Sequence, residues 1–123
     1  RGALSILKAM QQAGWQDAGV FLLGLLAHTG EDWRRRTQIV ESLKGFDTEG
    51  CADFLVADLR RVKASNTTRR YLASIVEALQ EMPIDIAQPR LLALMVDGDF
   101  SQKMQNRFAE ALDRATRWAR PLG

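Results

Sequence analysis

Two short apolar blocks recur along this chain at a shared spacing, and that recurrence restricts the possible folds more than any other feature. Ile6-Leu7-Lys8-Ala9-Met10, Ile39-Val40-Glu41-Ser42-Leu43, Ile75-Val76-Glu77-Ala78-Leu79 and Phe108-Ala109-Glu110-Ala111-Leu112 succeed one another at separations of 33, 36 and 33 residues. The fourth position is small each time (Ala9, Ser42, Ala78, Ala111), and the fifth is large. Eleven residues after that large position a second block begins: Phe21-Leu22-Leu23-Gly24-Leu25-Leu26, Phe54-Leu55-Val56-Ala57-Asp58-Leu59 and Arg90-Leu91-Leu92-Ala93-Leu94-Met95. Its fourth position is small again, as Gly24, Ala57 and Ala93. Small residues at a fixed register are expected to let helix axes approach, with the large neighbours filling the grooves. A helical hairpin repeated every 33–36 residues predicts an α-solenoid.

Apolar spacing within the blocks is helical throughout. It predicts about seven helices, over residues 3–12, 16–28, 32–44, 48–62, 67–82, 86–96 and from Ser101 to about 117. The residues at 72, 75, 76 and 79 form an i, i+3, i+4, i+7 stripe, and Pro83 is expected to end that helix. Pro89 is placed in the first turn of the next helix, where a missing N–H costs little. Asn66 or Thr67 reads as an N-cap in preference to a glycosylation acceptor, and Ser101 reads as another. No segment alternates with period two, and no hairpin turn separates two β-rich runs. The expected fold is all-α: a right-handed α-solenoid of stacked antiparallel helix pairs at about 16–44, 48–82 and 86–117. The 3–12 helix is expected to be the second half of an absent pair.

Composition removes several classes. A chain of 123 residues holds one domain, 1–123, or a few repeats. Because it opens at Arg1, already at helical spacing, it reads as a fragment of a longer or processed protein. With 46% apolar and 26% charged residues it is not a disordered tail. One cysteine, Cys51, forms no internal disulfide, and with the one histidine, His28, it makes no ordinary structural zinc site. The apolar run at 20–27 is far short of the roughly 20 residues of a membrane span, and no signal-peptide pattern is present. A cytoplasmic location is the expectation.

The period would suit tetratricopeptide repeats, but Arg35 and Tyr71 occupy slots where that pattern requires a small residue. The chain resembles HEAT-type repeats instead. The run from Leu91 to Asp99, Leu-Leu-Ala-Leu-Met-Val-Asp-Gly-Asp, is similar to the end of a HEAT first helix and its acidic turn. Ala109-Glu110-Ala111-Leu112 resembles the second helix, as does Thr68-Arg69-Arg70 leading to Val76-Glu77-Ala78-Leu79. The resemblance covers about residues 17–116 as three helix pairs. It implies stacked helix pairs, and it permits the cradling of a nucleic-acid duplex.

For catalysis the residue inventory is thin. His28 is expected to cap or pack at a helix end, and Cys51 to be a small core residue. The acids Glu31/Asp32 and Asp97/Asp99 fall in turns before helices, where carboxylates satisfy free N–H groups. No phosphate loop, HExxH or GxSxG motif occurs. No catalytic residue, metal or cofactor is assigned, and the chain is not expected to be an enzyme.

Charge is more informative. Arg1, Arg34, Arg70 and Lys103 repeat at the 33, 36, 33 separations, and Lys8, Glu41, Glu77 and Glu110 follow each by seven residues. Seven residues are nearly two turns, so both columns lie on one face, about 10 Å apart. They read either as inter-repeat salt-bridge ladders or as a binding stripe. Cations near helix N-termini oppose the macrodipole, which favours a compensating partner. As a stripe, Arg34, Arg70 and Lys103, with Trp33 and Tyr71 beside them, would recognise an acidic segment of another protein. Thirteen of the 17 basic residues are arginine, which makes bidentate carboxylate contacts.

The alternative partner is a nucleic acid, held by the acid-free stretch Arg60, Arg61, Lys63, Arg69 and Arg70. A net charge of only +2 argues against it. Self-association is a third reading, through end residues Ile6, Leu7, Met10, Trp118 and Leu122. The functional expectation is a non-catalytic protein-interaction scaffold or accessory domain.

Overall fold

The computed structural model describes residues 17–43 and 48–118. Among them the chain is all-α, with helices α1 (Asp17–His28), α2 (Trp33–Ser42), α3 (Glu49–Arg61), α4 (Arg69–Gln80), α5 (Ile84–Met95) and α6 (Gln102–Trp118), and no strand. The helix expected at 3–12 lies outside the described residues. So do Arg1, Lys8 and the end residues Ile6, Leu7, Met10 and Leu122. None of the described helices is long and apolar enough to cross a membrane.

Local chemistry sets most helix starts. Asp32 caps α2 by accepting the Arg35 N–H at 3.2 Å. Thr48 does the same for Cys51 at 3.2 Å, and Ser101 for Met104 at 3.2 Å. Each oxygen satisfies one of the free donors of a first turn. Helix α4 differs from expectation. Neither Asn66 nor Thr67 caps it; the N-cap is Thr68, and its side chain makes no capping bond. The Thr68 hydroxyl is buried and donates instead to Lys63 O at 2.7 Å, while accepting the Ser65 N–H at 2.9 Å. The side chain therefore closes the preceding loop.

Helix α4 ends at Gln80, before Pro83, and Pro83 opens α5 as its N-cap. Because α5 starts at Ile84, Pro89 lies beyond the first turn. Its ring nitrogen leaves the Asp85 carbonyl without its helical donor, a cost that exposure of both residues to water reduces. Gly30 is the one described residue at positive φ, 65°, and ends α1 in the left-handed conformation common at helix C-termini.

The helices touch in a fixed succession. Within hairpins, α1 meets α2, α3 meets α4 and α5 meets α6, the last pair most extensively. Between hairpins, α1 meets α3 and α3 meets α5, while α2 meets α4 and α4 meets α6. A diagonal contact joins α4 to α5. Among the described helices, α1 does not reach α5 or α6, and α2 does not reach α6.

Burial follows the same register. Ile39, Ile75 and Phe108 are all 0% exposed, and Glu41, Glu77 and Glu110 are all exposed. Ala78 and Ala111 are buried at 4% and 2%, as expected for small residues between close helices. The second block departs from that expectation: Gly24, Ala57 and Ala93 are exposed. Nothing lies within 4 Å of where a Gly24 side chain would begin. These positions face outward on α1, α3 and α5, so their small size serves no close approach. Cys51 is buried and free, as predicted for a core position. His28 ends α1 in an exposed position.

Candidate functional site

Three buried polar side chains from successive helices meet at the centre of the described fold. Arg36 of α2 is 2% exposed, Asp58 of α3 is 4% and Tyr71 of α4 is 0%. Burying an ion pair costs several kcal/mol unless the remaining donors and acceptors are also met. Here nearly all are. Arg36 Nη1 donates to Leu26 O at 2.7 Å and to Gly30 O at 3.1 Å. Its Nη2 donates to Asp58 Oδ2 at 2.6 Å and to the Tyr71 hydroxyl at 3.2 Å. Tyr71 in turn donates to the same Asp58 oxygen. Asp58 Oδ1 accepts Arg61 Nη2 at 2.6 Å and Nε at 3.0 Å. Only Arg36 Nε is left without a hydrogen-bond partner.

Aromatic faces complete the enclosure. The Arg36 guanidinium carbon is 5.1 Å from the Tyr71 ring centre and 5.7 Å from that of Trp33, within cation–π range. The two rings are themselves 5.5 Å apart. Burial alone would lower the Arg36 pKa, but the bonds to Asp58 and Tyr71 outweigh it and hold the pKa above its ordinary value. Burial would raise that of Asp58, and donation by Tyr71, Arg36 and Arg61 outweighs this to hold it low. Burial, followed by the bond to the Asp58 carboxylate, pushes the Tyr71 phenol well up. The cluster is thus ionic at neutral pH and ties α1, α2, α3 and α4 to one another.

Sequence reasoning missed Arg36 and Asp58, although a signal was available. Arg36 precedes Ile39, Val40 and Leu43 by three, four and seven residues, so it sits on the apolar stripe of α2. Asp58 follows Leu55 by three and occupies the place held by Leu25 and Leu94 in the other copies of the block. Opposite charges on two apolar stripes are the mark of a buried pair.

Above this cluster lies a hollow of about 930 Å³ between α2 and α4, reached also by Arg107 of α6. Four of the expected stripe residues line it: Trp33, Arg34, Arg70 and Tyr71. Arg34 and Arg70 are exposed and Trp33 is half-buried. Tyr71 is fully buried, so its phenol belongs to the cluster beneath and not to the open surface. Lys103 is exposed on α6 and does not line the hollow.

The salt-bridge ladder expected of the charge columns does not form. Among the described residues, none of Arg34, Arg70, Lys103, Glu41, Glu77 and Glu110 makes an ion pair. The register explains this: it sets Arg34 beside Arg70 and Glu41 beside Glu77, so like meets like across the hollow. Ion pairs between hairpins form elsewhere, from Arg90 to Asp53 at 2.9 Å and from Arg60 to Asp97 at 2.5 Å.

Those pairs bear on the other candidates. In the basic stretch, Arg60 is engaged by Asp97 and Arg61 by Asp58, while Lys63, Arg69 and Arg70 are exposed. Asp97 also accepts the Asp99 N–H at 2.9 Å, so these acids form a closed turn and not a carboxylate dyad. Among the described residues no group of three or more His, Cys, Asp or Glu is placed to hold a metal ion. Compared with known families, curated proteins and solved structures, the chain shows no significant match to any.

Proposed function

We propose that this chain is a non-catalytic protein-interaction scaffold, an α-solenoid of HEAT-like helix hairpins that offers its α2–α4–α6 face to a partner protein. The order of helix contacts supports the solenoid part. Each hairpin meets the next through both of its helices, and α1 and α2 reach no further than the second hairpin. The repeated burial pattern supports it as well. Such stacks leave long side faces open, each built from one helix per repeat.

The observation that carries the functional part is the pair Arg34 and Arg70. They hold equivalent positions on α2 and α4, both line one hollow, and neither is neutralised by an ion pair among the described residues. Arginines left unmet in a shared concavity suit the bidentate recognition of carboxylates.

The test is a triple charge reversal, Arg34→Glu with Arg70→Glu and Lys103→Glu, set beside Arg117→Glu as a control. Proteins captured by the immobilised chain should be lost with the triple variant and kept by the control. Capture that is unchanged in the triple variant overturns the reading. The rival, nucleic-acid binding through the Arg60–Arg70 stretch, is weakened because two of its five cations are already paired. Steep salt-dependent retention on a polyanion column would favour it.

A further inference from the structure

We infer that the hollow between α2 and α4 docks an extended segment of another protein, with carboxylates at one end and a basic residue about three positions away. This rests on the scaffold reading above and names its occupant. Arginines stand at the starts of α2 and α4 and glutamates further along them, while Arg107 of α6 also lines the hollow, level in the register with Ser74 between Arg70 and Glu77. Arg34 is the second residue of α2, Arg69 and Arg70 are the first two of α4, and Glu41 and Glu77 stand seven positions beyond Arg34 and Arg70. The Trp33–Tyr71 ring contact at 5.5 Å sets the starts of α2 and α4 side by side, so the arginines share one end.

The arginine end is a cluster of like charges, and the carboxylate nearest Arg34 in sequence, the α2 N-cap Asp32, is engaged by the Arg35 N–H. Neither α2 nor α4 has an acid in its first turn, and cations there oppose the helix dipole. Among the described residues no ion pair relieves any of the three arginines or the two glutamates. An incoming carboxylate removes that repulsion and accepts two parallel N–H bonds. Glu41 and Glu77 outnumber Arg107 at the other end and favour a cation there, which sets the direction of the segment. Seven helical residues span about 10 Å, and three extended residues cover the same distance. The walls are already rigid, because the Arg36–Asp58–Tyr71 cluster ties α2, α3 and α4 together below the floor.

The probes are three fluorescein-labelled 12-residue peptides and a 12-base-pair DNA duplex, titrated by anisotropy against the full chain at low and high salt. One peptide carries two adjacent glutamates with a lysine three residues on. The second has the same composition with the lysine between the glutamates, and the third carries the glutamates alone. The first is expected to bind at least 10-fold more tightly than the second, and at least 10-fold more weakly to Arg34→Glu/Arg70→Glu. In Glu77→Lys the preference is expected to pass to the glutamate-only peptide. These positions are exposed, so unchanged thermal unfolding serves as the fold control.

Equal binding of the first two peptides overturns the charge-polar groove and leaves the scaffold reading standing. Binding that survives the double reversal does the same. Tighter binding of the duplex, lost on reversal, overturns the inference in favour of a phosphate backbone. If no peptide binds, the inference fails, and the scaffold reading falls with it only if the triple variant also leaves protein capture unchanged.

Discussion

Arg36 on α2 and Asp58 on α3 meet at 2.6 Å, with both side chains almost wholly removed from water. The bond crosses from the first described hairpin to the second, and Tyr71 of α4 joins it from the other helix of that second hairpin. A pair placed this way sets the register of one hairpin on the next, because slipping either helix would strand a charge in apolar surroundings.

Asp58→Ala is therefore expected to destabilise the chain by about 3–5 kcal/mol, since it leaves the Arg36 guanidinium buried with no counter-charge. Urea unfolding followed by circular dichroism measures this. The double variant Arg36→Met/Asp58→Leu should recover most of the loss. A single-variant loss below about 1 kcal/mol would contradict the buried geometry.

The same cluster predicts two pH limbs. The Asp58 carboxyl is held below its ordinary value, so its stabilisation is fully present above about pH 4 and is lost as pH falls further. The Tyr71 phenol is raised, so its stabilisation is present below about pH 10 and is lost as pH climbs beyond. Thermal unfolding across pH should show a shallower acid limb in Asp58→Asn. In Tyr71→Phe the alkaline limb should be flatter, with a loss at neutral pH of about 1–3 kcal/mol.

Two glycines should respond in opposite directions. Gly24 lies within α1 with open space around it, so Gly24→Ala is expected to stabilise by about 0.5–1 kcal/mol. Gly30 sits at φ 65° and presents a carbonyl to Arg36, so Gly30→Ala is expected to cost about 1 kcal/mol or more. Differential scanning calorimetry of both variants checks the pair, and equal melting temperatures would refute it.

Arg60 is half-exposed although it is bonded to Asp97. Arg60→Ala is expected to cost less than about 1 kcal/mol, as is usual for ion pairs open to solvent. A loss of 2 kcal/mol or more in chemical denaturation would show the contact to be part of the core.

Much of the fold is legible in one dimension. The apolar stripe of α4, the caps Asp32 and Ser101, and the core positions Ile39, Ile75 and Phe108 all follow from local spacing and hydrogen-bonding chemistry. Boundaries went wrong where a side chain closed its own loop or a proline opened a helix. Thr68 bonds the Lys63 carbonyl five residues back, and α5 starts at Ile84 with Pro83 as its N-cap, not at Ile86. Gly24, Ala57 and Ala93 misled because small size does not say which way a helix turns its face.

The order of residues alone determined that this chain is helical, where its apolar stripes run, and which of its charges share a register, because the stripes depend on neighbours three to eleven positions away and the register on a repeat of 33–36 residues. Only packing decided that Arg36, Asp58 and Tyr71 form one buried cluster while Arg34 and Arg70 stay open on the same pair of helices. In sequence Arg36 differs from Arg34 only in falling on the apolar stripe of α2, and packing then covers the one and leaves the other in water. That covering depends on contacts with residues 22 and 35 positions further along.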